Sequence, residues 1–189
     1  MYYKFTYIAN FMILRHYNIF SVNILRITFV ILGLCLSIAP IYAEQVGSVT
    51  LNRNIEKFKQ YRTTDRDRAL DYATMVLADV DTTSVSEDIA MVFDFMSEYS
   101  EGTLHRYSEA LQYRKMAHSI YQKLNNRPCI ARTNALLARI YMRNSDYHNA
   151  FSSSLKALED AQELGDSTTM REAYIALEQV DYFSHNDTQ

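Results

Sequence analysis

Glycine and proline are scarce in this chain: four and two in 189 residues, and tryptophan is absent. Tight hairpins and phosphate-cradling loops depend on glycine, which takes left-handed backbone without steric penalty. So low a count argues against most sheet-rich folds and against nucleotide-binding loops. Cysteine is almost missing too. Cys35 sits in an apolar N-terminal run, which leaves Cys129 alone in the rest of the chain. An internal disulfide is impossible there, so packing must hold the domain together even if it is exported. With no His or second Cys beside it, Cys129 reads as a small apolar residue near a helix start.

Acidic residues are missing from one end. The first 43 residues carry Lys4, Arg15 and Arg26 but no Asp or Glu, which leaves 22 acids against 16 bases after Ala43, a net of about −6. That balance offers no general footprint for nucleic acid, which favours a basic face. The leader has its own pattern: Arg26, then ITFVILGLCLSI over residues 27–38, then Ala39-Pro40-Ile41-Tyr42-Ala43. A positive flank, an apolar core and a small exit residue make a secretory signal cut after Ala43. An uncleaved anchor is the alternative, because residues 27–43 are 17 uncharged positions, near the lower limit for spanning a bilayer. The protein is therefore expected in the periplasm or otherwise exported, or held at a membrane by residues 27–43.

Helical periodicity is what the remainder has in quantity. Within residues 131–166, Leu136, Leu137, Ile140 and Tyr141 share one face, and Tyr147, Ala150, Phe151, Leu155 and Leu158 form a second. Asn144-Ser145-Asp146 between them is a turn, with Asp146 able to cap the second helix. Gly165 ends that helix, and Thr169 with Glu172 forms a possible capping box for the next. Tyr107, Ala110 and Ala117 precede Tyr147, Ala150 and Ala157 by 40 residues each. Phe95, Met96 and Tyr99 match Leu137, Ala138 and Tyr141 once two extra residues are allowed in the turn. A fainter half repeat lies in Ala69, Leu70, Ala73, Val76 and Leu77. The spacing predicts helices over 50–61, 66–80, 87–99, 105–124, 130–143, 147–164 and 168–182, no strand, and a frayed tail over 185–189.

Ala138, Tyr141, Ala150 and Ala157, in that order, resemble the tetratricopeptide repeat, with Tyr147 as the aromatic that often opens helix B. Small residues let helix pairs nest at the crossing, while aromatics plug the gap to the next pair. Asn134 in place of an early large residue, Ser154 in place of a later Phe, and the lack of a closing Pro depart from the family pattern. A period near 40 is similar to the long-helix subclass of bacterial sensor and quorum-type proteins. The resemblance implies an all-α, antiparallel helix-hairpin α-solenoid of about three repeats. It divides the chain into a leader (1–43), a degenerate hairpin (44–85), repeats (86–184) and the tail. It also implies a protein-binding scaffold, either the sensing module of a regulator or an independent adaptor.

By that resemblance helix A lines a concave wall. Arg132, Arg139 and Arg143 fall at intervals of seven and four on one face of their helix. The previous helix A is expected to contribute Ala90, Phe93, Ser97 and Ser100. The expected partner site is thus Arg132, Arg139, Arg143, Phe93 and Ser97, suited to an acidic or carboxylate-bearing protein or peptide. Arginines that solubilise the helix, or pair with nearby acids, are the competing account. Chaperone-tail clamps need a Lys and Asn pattern, and here Ala135 and Arg139 occupy two of its places.

Chemistry finds little support. His16, His105, His118, His148 and His185 lack ligand spacing, so no metal site, cofactor or catalytic residue is expected. Asp79-Val80-Asp81-Thr82-Thr83 resembles the opening motif of the haloacid-dehalogenase phosphatases, which would make an enzyme. That motif needs a strand end, and Ala69, Leu70, Ala73, Val76, Leu77 and Val80 form a helical stripe running into it. Self-assembly is the second functional expectation, because Tyr174, Ile175, Leu177 and Val180 have no following helix to cover them.

Overall fold

The structure is a computed structural model that describes residues 48–81 and 84–186, with side chains as far as Phe183. The expected signal or anchor over residues 27–43, Cys35, the pair Thr82-Thr83 and residues 187–189 lie outside the described residues. Among the described residues there are seven helices and no strand: α1 (48–61), α2 (Arg66–Asp79), α3 (Glu87–Gly102), α4 (Tyr107–Lys123), α5 (Arg127–Arg143), α6 (Tyr147–Leu164) and α7 (Ser167–Asn186). No described helix is long and apolar enough to cross a membrane. Residues 51–81 and 84–186 belong to one packing unit.

Each helix from α2 on packs against the next, and α5 also touches α7. Short links make neighbours antiparallel, and contact between alternate helices stacks one pair on the next. The fold is an all-α helical-repeat solenoid.

The links explain how a glycine-poor chain turns so often. His105, Asn125, Ser145 and Gly165 all have positive φ, between 52° and 68°, and stand 20 residues apart. At the last three the following N–H reaches back five residues, Asn126 to Tyr121, Asp146 to Tyr141 and Asp166 to Ala161. The left-handed residue's own N–H bonds three residues back, to Gln122, Met142 and Gln162. This double closure satisfies carbonyls that a helix end leaves without partners. The next helix then starts on the same residue. Asn126 accepts from the Cys129 N–H, Asp146 from Asn149, and Asp166 from Thr168 and Thr169. One residue thus closes one helix and caps the next.

Asp166, not Thr169, is therefore the cap of α7, and the Thr169 hydroxyl donates to its carboxylate at 2.6 Å. Two other boundaries move for local reasons. The helix expected from residue 130 begins at Arg127, because Pro128 in the first turn gives up an N–H that has no intrahelical partner anyway. Backbone helix in α7 continues through residues 185–186, where fraying was expected.

Alanines fill the crossings. Ala110, Ala117, Ala131, Ala138, Ala150, Ala157, Ala161 and Ala173 have no exposed surface. Larger groups fill the wider gaps: Phe58 of α1 meets Phe95 of α3 edge-on at 5.2 Å, and within the first hairpin Tyr61 stacks on Tyr72 at 5.8 Å. The first hairpin is anchored on α3 through Phe58, Val76, Val92 and Phe95. Asp79 ends α2, with the Val80 N–H bonded to the Val76 carbonyl, so the Asp79–Asp81 pair straddles the end of a helix instead of a strand.

Candidate functional site

α3 and α5 face each other through charge. On α3, Asp94 and Glu101 are seven residues apart and both are nearly buried; on α5, Arg132 and Arg139 have the same spacing. Two helical turns return a side chain to the same face, so the helices meet in two rungs. In the first, Arg132 donates to Asp94 Oδ2 at 3.1 Å. In the second, Arg139 grips Glu101 with both arms of its fork, at 2.9 and 2.8 Å. Two parallel bonds fix orientation as well as charge. The bond to Glu101 outweighs the effect of burial and raises the Arg139 pKa above its ordinary value.

Asp94 is the centre of a larger buried network. Arg114 of α4, with no exposed surface, donates to Oδ1, while the Tyr121 hydroxyl donates to Oδ2 at 3.0 Å. Burial, reinforced by the Asp94 charge, pushes the Tyr121 phenol upward and keeps it a donor. Burial is the largest influence on Arg132 and opposes its charged form, but Asp94, Cys129, Tyr121 and Glu98 together outweigh it and its pKa is raised. Two guanidiniums and a phenol thus share one carboxylate at the junction of three helices. Nε and Nη2 of Arg114 are buried without hydrogen-bond partners among the described residues.

The expected partner residues separate. Ser97 is fully buried, and its hydroxyl donates to the Ala110 carbonyl at 2.9 Å inside the α3–α4 crossing, so it lines no groove. Ala90 and Ser100 are buried too. Phe93 is half-buried beside Tyr113 and lines a cavity of about 650 Å³ with Leu77, Val80 and Met116, which shares no residue with the arginines. Arg132 and Arg139 are occupied by acids of the chain, the competing account weighed from sequence.

Arg143 is different. It is exposed at the end of α5 and has no hydrogen bond or ion pair among the described residues. With Arg139 it borders two cavities. One, about 540 Å³, lies between α5 and α7 and is lined by Leu136, Met142, Ile175, Gln179 and Phe183. The other, about 450 Å³, reaches toward α3 and is lined by Glu98, Glu101, His105 and Tyr107. Arg139 and Arg143 line both, joining the cavities into one groove with a basic middle, an acidic end at Glu98 and Glu101, and a mixed end where Leu136, Ile175 and Phe183 stand beside Glu172.

Residues outside the expected site, Glu101, Ile175 and Phe183, line this groove, while Asp94 holds Arg132 away from it in the buried network. The acids had a signal, namely their seven-residue spacing equal to that of the arginines. The sequence matches no protein-family model and no curated protein, so the groove's own chemistry has to indicate what it holds.

Proposed function

We propose that the chain is a protein-interaction scaffold of tetratricopeptide type whose groove between α5 and α7 holds a partner segment carrying a carboxylate beside an apolar side chain. The observation that carries this is Arg143, exposed and without a charge partner among the described residues, beside the apolar wall of Leu136, Met142, Ile175 and Phe183. A guanidinium there can take a carboxylate in a bidentate grip, while the wall takes the neighbouring apolar group. Arg139, braced by Glu101, gives Arg143 a rigid neighbour and adds positive potential without being the main donor.

The repeat type is supported by the buried Ala138, Ala150 and Ala157 and the half-buried Tyr141 and Tyr147, the positions the family pattern needs. The leader pattern over residues 27–43 supports placement outside the cytoplasm, by export or by anchoring. Such a scaffold serves a regulator's sensing module or a free adaptor equally well, and no catalytic role enters the proposal.

A displayed random-peptide library panned on the wild-type chain, on Arg143→Glu and on Lys156→Glu tests it. The wild type and Lys156→Glu, which lines another cavity, should enrich Asp or Glu next to an apolar residue. Arg143→Glu should lose the acidic preference. The same acidic peptides enriched by Arg143→Glu would overturn the proposal.

A further inference from the structure

α7 has three faces. Thr169, Ala173, Ala176 and Val180 are buried, and Ile175, Gln179 and Phe183 border the groove. The third face carries Arg171, Tyr174, Glu178 and Tyr182, with Ile175 at its edge, and all five are exposed. No described helix lies against it, since α7 packs on α6 and α5.

The register of the array shows that this face is not built for a further repeat of the same kind. The caps Asn126 and Asp166 stand 40 residues apart, so Arg171, Tyr174, Ile175 and Glu178 correspond to Ala131, Asn134, Ala135 and Ala138 on α5. Those α5 positions are small and buried in its packing with neighbouring helices. Bulk and charge replace them on α7, which blocks the close nesting that continued stacking requires. End-to-end growth of the solenoid is disfavoured.

The same residues suit a two-fold axis. Arg171 and Glu178 are opposite charges seven residues apart, about 10.5 Å along the helix, with no ion pair among the described residues. Tyr174, 55% exposed, and Ile175, 47% exposed, mark the midpoint between them. We infer that α7 pairs antiparallel with α7 of a second copy about that midpoint. Arg171 of each copy then meets Glu178 of the other, and the Tyr174 and Ile175 side chains pack across the axis. An isologous contact requires such self-complementarity, and it closes at two copies instead of growing into a fibre. Tyr182, 65% exposed, extends the apolar strip at each end of the pair.

The test is sedimentation or light scattering of the full chain as wild type, Arg171→Glu and Glu178→Arg, over a range of concentrations. Both substitutions are on exposed positions, and unchanged far-ultraviolet circular dichroism checks the fold. The wild type should dimerise, and each variant alone should dimerise at least tenfold more weakly, because like charges then meet twice. Mixing the two variants should restore dimers, since the carboxylate introduced at position 171 of one copy then faces the guanidinium introduced at position 178 of the other. Association through the leader is common to all samples and cancels in the comparison. A wild type that stays monomeric, single variants that pair as well as wild type, or a mixture no better than its parts would each overturn the inference.

Discussion

Removing the Asp94 carboxylate tests the buried network with a perturbation of known size. Asp94→Asn keeps the shape and one acceptor oxygen but deletes the charge that compensates Arg114. That guanidinium has no exposed surface and two nitrogens without partners among the described residues. Breaking a buried pair by removing one member costs about 3–5 kcal/mol, because the remaining charge stays desolvated. A domain of this size has about 5–15 kcal/mol of stability in total, so the loss is a large fraction of it. Arg114→Met should cost less, about 1–2 kcal/mol, because Asp94 keeps Tyr121 and the half-exposed Arg132 as partners. In the double variant the uncompensated charge is gone, so its stability should lie above that of Asp94→Asn alone. The assay is urea unfolding followed by circular dichroism, with slopes compared to confirm that unfolding stays two-state. An Asp94→Asn loss under about 1 kcal/mol, or a double variant equal to the sum of the singles, would refute the argument.

Other consequences follow from single features. Ala150→Leu forces side-chain bulk into a crossing with no exposed surface, and should lower stability by roughly 1–3 kcal/mol in the same urea assay. Gly165→Ala meets no atom within 4 Å but keeps φ at +68°, so its loss of about 1 kcal/mol is purely backbone strain. Ser145→Gly, at φ 58°, should raise the thermal midpoint for the mirror-image reason. His118 titrates with a defined sign. Its Nδ1 lies 2.9 Å from the Thr133 hydroxyl, which donates to the Cys129 carbonyl at 2.7 Å, so the ring nitrogen is the donor. Burial, then Lys156, lowers the His118 pKa, while Asp160 and Asp94 oppose this weakly. The neutral ring therefore contributes stability that is fully present above the unfolded value near 6.5. That contribution is lost as pH falls through the lower folded value. Unfolding midpoints between pH 8 and 5 should fall less for His118→Asn than for wild type; parallel curves would contradict this.

The helices were legible because their signals are local. Apolar spacing, Asp146 before a periodic run and Gly165 after one depend on neighbours within a turn or two, and alanines at 40-residue intervals repeat that signal. The groove was only partly legible, because it depends on how each helix is rotated about its axis. Allowing two extra residues upstream rotates the assignment on α3 by about 200°. That choice put Ser97 opposite the arginines. Counted from the caps Ser86 and Asn126, Ser97 corresponds to Leu137, a core position. Arg139 looked available for a partner for a related reason. Its acid lies 38 residues away, a distance over which only the helix pairing brings them together. Arg143 kept its expected exposure because it sits past the last rung, where α3 offers no further acid.

The most direct measurement of the central claim is a double-mutant cycle on one acidic peptide selected by the wild-type chain. Affinities would be measured for Arg143 and Arg143→Ala, each against the peptide with its acid and with that acid replaced by its amide. Direct pairing in the groove predicts a coupling of about 1.5–3 kcal/mol, the range for hydrogen bonds to charged groups. Additivity within about 0.3–0.5 kcal/mol would mean that Arg143 does not meet the carboxylate, and the groove assignment would be wrong.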